Sequence, residues 1–284
     1  AFKNGLPNGT WTGYWPDGST MYSLNYKNGK KHGSSTKYDS LGILIFEVKF
    51  DKGLKNSLEK NYFSNGKPKR VAKYKDGKLN GKTELFNIKG IRLETLAYKD
   101  SLKNGNHTYW WPNGEKNKVF TYDSNILNGE YEEWDSLGTN IVKGLYSDGK
   151  QNKKWLYFDN EGHRVKITFI KMDSIITDYI FEYYTNWQVK EEPKFNDEGE
   201  FDGNFKSFYE GGEVLETYAF TSGLKKDVWL SFYVDERRNV YKFYKLDTLV
   251  TDYTFKYYNN LQIKEEPKFN DKGEFDGIFK SFYE

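Results

Sequence analysis

Aromatic residues recur along this chain with a period of 24 or 25 residues. Offset 5 of each repeat is aromatic in all twelve repeats, and offset 17 is Tyr or Phe in ten of the eleven repeats that reach it. A pattern that persists this far identifies a repeat protein. Offset 0, which is most often glycine, is occupied by Gly9, Gly33, Ser57, Gly81, Gly105, Gly129, Lys153, Asp178, Gly203, Asp227, Asp252 and Gly277.

Each repeat contains two short runs rich in Tyr, Phe, Trp, Thr and Val, and a turn that carries glycine in most repeats separates them. This pattern predicts a β-hairpin, because a helix would need a different period and interior glycine would weaken it. A single hairpin is unstable, so each one depends on its neighbours. The sequence therefore predicts an all-β fold, an elongated array of about twelve hairpins in a continuous twisted antiparallel sheet.

The turns of repeats 1 and 5 show how each hairpin closes. They read Trp-Pro-Asp-Gly at 15–18 and Trp-Pro-Asn-Gly at 111–114. Proline presets the first central position of a type I turn and glycine takes the left-handed position after it, which predicts a three-residue loop with a glycine bulge. That loop places offsets 5 and 17 on the same side of the sheet. We expect both aromatic ladders to form its packed face.

The chain divides into two regions. Residues 1–162 hold regular 24-residue repeats, and residues 163–284 hold divergent repeats of 24 or 25 residues. Segments 177–210 and 251–284 match at 27 of 34 positions, 74 residues apart, which indicates a tandem duplication of three repeats. The earlier copy continues past the position that matches Glu284, so we expect the natural protein to extend further. The absence of an initial Met suggests processing or trimming.

Segment 74–81, Tyr-Lys-Asp-Gly-Lys-Leu-Asn-Gly, resembles the bacterial MORN-type repeat (membrane occupation and recognition nexus). The similar variant is that of antitoxin-like repeat proteins, with a Tyr-x-x-Gly-x-x-x-Gly connector. The resemblance covers residues 1–162 well and is weaker over 163–284. It implies a β-hairpin scaffold for protein contacts, sometimes near membranes, without shared catalytic residues. An antitoxin-like protein that neutralises a toxin is an alternative function.

The amino-acid composition argues against several kinds of site and partner. The 284 residues include Tyr 24, Phe 21 and Trp 8, no cysteine, and 43 Lys+Arg against 41 Asp+Glu. The aromatic content argues against a disordered chain, and the lack of cysteine excludes disulfides and thiolate metal sites. No apolar run is long enough to span a membrane as a helix. Acidic and basic residues are mixed, which argues against nucleic acid as a partner.

No constellation of residues indicates an enzyme. His32, His107 and His163 belong to different repeats and cannot meet in a linear array, so we expect no histidine-based catalytic or metal site. Nucleophile-elbow and phosphate-loop motifs are absent. Segment 196–203 is superficially similar to a calcium loop, but it lacks the EF-hand ligand spacing, and Lys272 replaces Glu198 in its copy. Turn chemistry explains it better, and we expect no cofactor.

A second aromatic stripe lies at offsets 2, 4 and 6, where we expect side chains to point away from both ladders. A sheet needs only one apolar face, so this stripe predicts a surface that binds a protein partner. A sheet that curls on itself and buries the rings, and a carbohydrate that stacks on them, are the alternatives. The stripe comprises Trp11, Trp15, Tyr109, Trp111, Trp155, Tyr157, Tyr184, Tyr209, Tyr233 and Tyr258.

These patterns favour a non-enzymatic repeat scaffold that mediates protein–protein interaction within a larger assembly. A surface carbohydrate-binding module is the second hypothesis. The Asp-Ser-Leu segments at 39–41, 100–102 and 135–137 resemble a sequon for bacterial extracytoplasmic O-glycosylation, and they also fit ordinary turns. The sequon interpretation would place the protein in the periplasm or at the cell surface, where peripheral membrane association stays open.

Overall fold

The computed structural model describes residues 1–283, apart from the side chain of Phe279, and it is all-β. The first strands are β1 (Phe2–Lys3), β2 (Leu6–Pro7), β3 (Gly9–Tyr14), β4 (Thr20–Lys27), β5 (Lys30–Tyr38), β6 (Leu44–Asp51), β7 (Leu54–Tyr62), β8 (Pro68–Lys75), β9 (Lys78–Phe86), β10 (Arg92–Lys99), β11 (Leu102–Lys103), β12 (Gly105–Trp110) and β13 (Lys116–Asp123). The remaining strands are β14 (Ile126–Trp134), β15 (Asn140–Ser147), β16 (Lys150–Phe158), β17 (Arg164–Lys171), β18 (Ser174–Ile180), β19 (Glu191–Glu192), β20 (Gly203–Phe208), β21 (Val214–Thr221), β22 (Leu224–Phe232), β23 (Arg238–Lys245), β24 (Thr248–Thr254), β25 (Glu265–Phe269) and β26 (Phe275–Ser281).

Strands that follow one another in sequence are neighbours in the sheets. Strands β3–β18 form a sixteen-stranded sheet in chain order, in which the short β11 pairs with β10. Strands β19–β24 form a six-stranded sheet, and β1–β2 and β25–β26 form two-stranded sheets. The array of antiparallel hairpins predicted from the sequence is confirmed. No helix within the described residues could cross a membrane.

The chain forms two compact units. The first comprises residues 1–152 and 158–163, and the second comprises residues 153–157 and 164–284. The second unit contains both copies of the duplicated segment.

Two-residue turns join consecutive repeats. Asn28 and Gly29 have φ angles of 50° and 80° and connect the paired residues Lys27 and Lys30. Two left-handed residues in succession define a type I′ turn, which matches the twist of the flanking strands. The same geometry recurs at Lys52-Gly53, Asp76-Gly77 and Asp148-Gly149. Glycine therefore occupies the second turn position in the Tyr-x-x-Gly connector because the backbone there is left-handed.

The loop inside repeat 1 is the predicted three-residue loop. The Gly18 N–H donates to the Trp15 carbonyl at 2.9 Å, and the Trp15 N–H donates to the Ser19 carbonyl at 2.8 Å. Gly18 is left-handed, with a φ of 85°. These bonds define a type I turn followed by a glycine bulge, so the interpretation of the Trp-Pro-Asp-Gly segment is confirmed.

A second β-bulge follows the loop, and the sequence analysis missed it. Tyr14 pairs with Thr20, but Gly13 pairs with Tyr22, so Met21 has no partner across the strands. Equivalent register shifts occur in the hairpins of repeats 1–6, 9 and 10. A shift of one residue moves a strand's side chains to the other face. Offset 17 therefore shares a face with offsets 2 and 4, opposite to offset 5.

The packed side of the sheet, named the inner face here, carries offsets 2, 4, 13, 15 and 17. Ring contacts mark it: the His107 imidazole lies between Tyr98, at 5.6 Å, and Tyr122, at 4.6 Å. The expectation that both ladders pack on one face is wrong, and Tyr14 of the offset-5 ladder is 60% exposed. The buried side chains at offset 2 are Ser35, Glu59, Thr83, His107, Tyr131, Trp155 and Phe205.

The opposite side, the outer face, is mostly polar in repeats 1–6, where offsets 1 and 3 carry Thr, Ser, Lys, Asn and Glu apart from Leu58. Within the second compact unit it becomes apolar. Ile167, Phe169 and Phe181 form a buried cluster there, against which Val189 and Phe195 pack. The Phe169 and Phe195 ring centroids are 5.1 Å apart. Short hairpins of the divergent repeats thus cover the outer face.

The second copy of the duplicated segment repeats this cover. The rings of Tyr241 and Phe269 stack with centroids 3.8 Å apart and an interplanar angle of 5°. The Thr251 hydroxyl donates to the Gly273 carbonyl at 2.6 Å. Each copy therefore folds a hairpin back onto the outer face of the preceding strand, β17 or β23, which explains why apolar residues replace polar ones on the outer face in this region.

Candidate partner-binding surface

The ten aromatic residues of the predicted stripe do not form one exposed face. Trp11 and Trp155 occupy offset 2, the most buried column of the inner face. Trp155 is 2% exposed, and the Trp11 ring meets Phe2 at 5.1 Å and Tyr26 at 5.9 Å in edge-on contacts. These two indoles pack within the sheet because the bulge after the loop places the offset-17 rings on their side.

Tyr109 and Tyr157, at offset 4, lie on the same inner face. The Tyr109 ring packs edge-on against Phe120 at 6.0 Å, and burial raises the pKa of its hydroxyl. The Lys166 ammonium lies 5.6 Å from the Tyr157 ring centroid. Their packing is intramolecular, so their positions do not require a partner.

The residues at offset 6 join one repeat to the next. The Tyr209 hydroxyl donates to the Phe232 carbonyl at 2.9 Å, and Phe232 is the offset-5 residue of the following repeat. A hydrogen bond of this kind recurs from Tyr184 to Phe208 at 2.9 Å, from Tyr258 to Phe282 at 2.7 Å and from the Trp111 indole to Trp134 at 3.1 Å. The repeated tyrosine therefore has a structural role that the hairpin pattern alone did not reveal.

Two members of the stripe at offset 6 differ from this arrangement. The Trp15 indole N–H is buried and has no hydrogen-bond partner in the described structure. Tyr233 is 38% exposed, and its ring lies edge-on to Tyr257 at 6.3 Å and beneath the Arg237 guanidinium at 5.0 Å. Among the ten residues of the predicted stripe, all of them described, Tyr233 is the most exposed.

The three histidines have separate environments. His107 is fully buried, and its Nε2 donates to the Ala97 carbonyl at 2.9 Å, so the unpartnered Nδ1 carries no proton. Burial lowers the pKa of this imidazole. His32 and His163 lie beside Asp51, at 3.2 Å, and Asp159, at 3.1 Å. Among the described residues, no group of three potential ligands is arranged to hold a metal ion.

The acidic segment at 196–203 forms a capped turn. The Asn196 side-chain oxygen accepts the N–H groups of Glu198 at 3.1 Å and Glu200 at 2.9 Å. Asn270 makes the same bonds to Lys272 and Glu274 at 2.9 Å each. The segment that is superficially similar to a calcium loop thus has the Asx-turn chemistry expected of a hairpin end.

The Asp-Ser-Leu segments at 39–41 and 135–137 also form turns. Asp39 Oδ1 accepts the N–H groups of Leu41 at 3.0 Å and Ile43 at 2.9 Å, and Asp135 makes the same bonds in its own loop. Leu41 and Leu137 are each 82% exposed at the loop tips of the first compact unit. The aspartate carboxylate thus caps the turn in both loops.

Sequence analysis missed the most informative surface positions, which are at offset 9. This position is glycine in repeats 1–7 and 9, where it closes the hairpin loop in a left-handed conformation. Trp187 and Leu261 occupy it in repeats 8 and 11, with φ angles of 66° and 69°. They are 48% and 55% exposed. The signal was present in the sequence, as two bulky apolar residues in a column that holds glycine in eight repeats and Glu236, with a φ of 64°, in repeat 10.

These two residues strain the backbone without burying their side chains. A left-handed conformation costs a residue other than glycine on the order of 1–2 kcal/mol. Burial would offset that energy, but both side chains remain half exposed. Val234, at the loop tip of repeat 10, is 58% exposed. We name Trp187, Val234 and Leu261 the apolar tips of the second compact unit.

The similarity of this chain to solved structures is low in both sequence identity and TM-score. No protein-family model matches the chain, and no curated protein matches it. A crystal structure of TcdB2-TccC3 without the hypervariable C-terminal region aligns at 10% identity and a TM-score of 0.21, covering 94% of this chain and 18% of that one. The Tc holotoxin pore of Photorhabdus luminescens aligns at 12% identity and a TM-score of 0.18, covering 90% of this chain and 15% of that one. The chain thus spans less than a fifth of these structures.

Proposed function

We propose that the protein is a non-enzymatic repeat scaffold of the MORN type that binds a protein partner through the apolar tips Trp187, Val234 and Leu261. The observation that carries the proposal is the pair of strained, exposed residues Trp187 and Leu261. Glycine would fit both positions without strain, yet each holds a large apolar side chain that is about half exposed.

The chemistry of the tips suits a protein surface. Tryptophan is enriched among the residues that dominate binding energy at interfaces, where it enters an apolar pocket of the partner. Polar groups surround the tips, with Asn186 beside Trp187 and Asn260 beside Leu261. An apolar centre with a polar rim is the usual anatomy of a protein interface.

The rigid hairpins make the tips suitable for multivalent binding. The Asn186 amide donates to the Glu210 carbonyl of the next repeat at 2.7 Å, and its side-chain oxygen accepts the Gln188 N–H at 3.0 Å. A tip that is held in place loses little conformational freedom on binding, which favours affinity. A partner that contacts several tips at once would gain further through effective concentration.

Site-specific photocrosslinking tests this proposal. The chain has no cysteine, so Val234→Cys provides a single attachment point for a benzophenone maleimide at a tip. Leu224→Cys is the matched control, because Leu224 is 40% exposed and lies at the opposite end of β22. The nine residues of β22 lie between the two positions and span about 26 Å.

We expect crosslinking in native extract to link one protein to the tip position and not to the control position. Equal crosslinking from both positions, or from neither, would contradict the proposal. The mass-spectrometric identity of the product would also decide the antitoxin alternative, because a toxin neutralised by this chain would be the linked protein.

A further inference from the structure

A cavity of about 310 Å³ opens on the inner face of repeats 9 and 10. Three rings form its wall. Trp229 lies between Tyr218 and Tyr244, with centroid distances of 4.9 Å to each. The Trp229 indole donates to the Ala219 carbonyl at 3.2 Å, which fixes the orientation of the ring. The cavity therefore has a rigid aromatic wall within the second compact unit.

Charged side chains line the same cavity. The Lys225 ammonium lies 5.0 Å from the Trp229 ring centroid and 5.2 Å from that of Tyr244. Lys225 makes no ion pair within the described residues, and neither does Glu216. Lys242 faces the cavity as well and is 3.8 Å from the Asp252 carboxylate. Lys225 is therefore the cation of this lining that has no paired carboxylate among the described residues.

The equivalent position of repeat 3 shows what the tryptophan changes. A lysine two residues before offset 0 lies over the offset-17 ring in repeat 3, where Lys55 is 4.8 Å from Tyr74. In that repeat Lys55 pairs with the buried Glu59 carboxylate. Trp229 occupies the position of Glu59 in repeat 10, so Lys225 keeps an ammonium group that no carboxylate neutralises.

We propose that this cavity binds an anionic saccharide of the uronic or sialic acid class. The apolar C–H face of a sugar ring packs on aromatic rings, and its carboxylate would meet the ammonium groups of Lys225 and Lys242. Sugar hydroxyls would donate to the free Glu216 carboxylate. They would also accept from Ser231, whose hydroxyl oxygen already accepts the Val240 N–H at 3.1 Å. The volume is at the lower end of the range for small-ligand sites.

The site is separate from the apolar tips and does not depend on the proposed function. It differs from the simple carbohydrate hypothesis, because the selectivity resides in the charge of Lys225 and Lys242 rather than in ring stacking alone. Neutral saccharides could reach the same rings, but they would leave the Lys225 ammonium without a carboxylate.

Fluorescence and calorimetric titrations of the whole chain test the proposal with three acidic probes and one neutral probe. The acidic probes are trigalacturonate, a hyaluronan tetrasaccharide and sialyllactose, and the neutral probe is maltotriose. We expect saturable binding of at least one acidic probe and at least tenfold weaker binding of maltotriose. Failure of every acidic probe to bind, or equal affinity for maltotriose, would overturn the proposal.

Two substitutions assign the binding to this cavity. Lys225→Gln keeps the length of the side chain and removes its charge, and we expect it to weaken the acidic probe at least tenfold. Lys103→Gln is the matched control, because Lys103 lies 4.9 Å over the Tyr122 ring at the same position of repeat 5. Equal loss in both variants would indicate attraction by overall charge and would contradict the assignment. Lys242→Gln supplies a second variant if Lys225→Gln does not fold.

Discussion

The α-carbon of Gly199 lies so close to the ring of Phe169 that a β-carbon at residue 199 would fall 2.6 Å from a ring carbon. Gly273 approaches Phe243 in the same way in the second copy of the duplicated segment. In each copy the turn of a short hairpin rests on an aromatic ring of the outer face. This contact is what turns a one-sided sheet into a locally two-layered one.

Replacement of Gly199 by alanine should disrupt this contact and lower the free energy of unfolding. Gly199→Ala adds a β-carbon that overlaps the Phe169 ring and forces a left-handed alanine. Gly223→Ala is the control, since Gly223 has a similar φ of 78° and no atom within 4 Å of its β-position. We expect Gly199→Ala to lower the free energy of unfolding by about 1–3 kcal/mol more than the control does, measured by urea denaturation. Equal losses would show that the ring does not confine the turn.

The offset-6 hydrogen bonds predict a difference between two chemically identical substitutions. Tyr209→Phe removes the donor to the Phe232 carbonyl, whereas the Tyr233 hydroxyl makes no hydrogen bond within the described residues. We expect Tyr209→Phe to lower the free energy of unfolding by about 0.5–1.5 kcal/mol and Tyr233→Phe to leave it unchanged. Thermal and urea unfolding of the two variants would measure this. The interpretation fails if both variants behave alike.

Ser57 offers a stabilising substitution. It holds the offset-0 position with a φ of 115°, close to the 111° of Gly81 and the 123° of Gly129 in the same position. Ser57→Gly should raise the free energy of unfolding by about 1 kcal/mol, because it removes backbone strain from an exposed residue. Ser34→Gly, in β5, should instead lower it by roughly 0.5–1 kcal/mol. A loss of stability in Ser57→Gly would contradict the assigned backbone conformation.

His107 makes stability depend on pH. Burial holds the pKa of its imidazole below the ordinary value, so the unfolded chain takes up this proton at a higher pH than the folded chain. The free energy of unfolding should therefore fall as the pH drops below about 6.5, and it should level off below the folded-state pKa. The positive charge of the nearby Lys103 also disfavours protonation of the His107 imidazole.

His107→Phe provides the comparison for this pH dependence. The variant keeps an aromatic ring between Tyr98 and Tyr122 but cannot titrate. Unfolding measured from pH 7.5 to 5 should show a steeper loss in the wild-type protein than in the variant. Parallel curves would mean that the imidazole accepts a proton in the folded state as readily as in the unfolded one.

The hairpin array could be predicted from the sequence because its signals are local. Gly18 and Pro16 specify the loop of repeat 1, and the structure has that loop. The face of the packed ladder could not be predicted, because it depends on the bulge at Met21. The equivalent residues in repeats 2 and 3 are Ile45 and Lys69, which share no property that marks a bulge. One bulged residue without a sequence signal therefore reverses which face of the sheet carries the offset-17 ladder.

The candidate surface illustrates the same limit. The tyrosine at offset 6 recurs in the sequence, but its hydrogen bond to the next repeat depends on the three-dimensional stacking of hairpins. The tips are the opposite case. Once offset 9 is aligned, Trp187 and Leu261 are the two apolar side chains in a column of glycines and Glu236. The left-handed backbone at this loop position makes any residue other than glycine unfavourable there.

The most direct test of the scaffold account measures the affinity of the partner crosslinked at Val234 for a double variant, Trp187→Gly with Leu261→Gly. Glycine removes the backbone strain at two left-handed positions. The substitution also removes the edge-on contact between the Trp187 and Tyr183 rings, whose centroids are 5.8 Å apart. We therefore expect the free energy of unfolding to stay within about 1 kcal/mol of the wild-type value. Leu224→Ala with Leu249→Ala, at the other end of the hairpins, is the control. The account predicts that biolayer interferometry will show at least tenfold weaker binding for the double-glycine variant and unchanged binding for the control, whereas wild-type affinity in a folded double-glycine variant would contradict it.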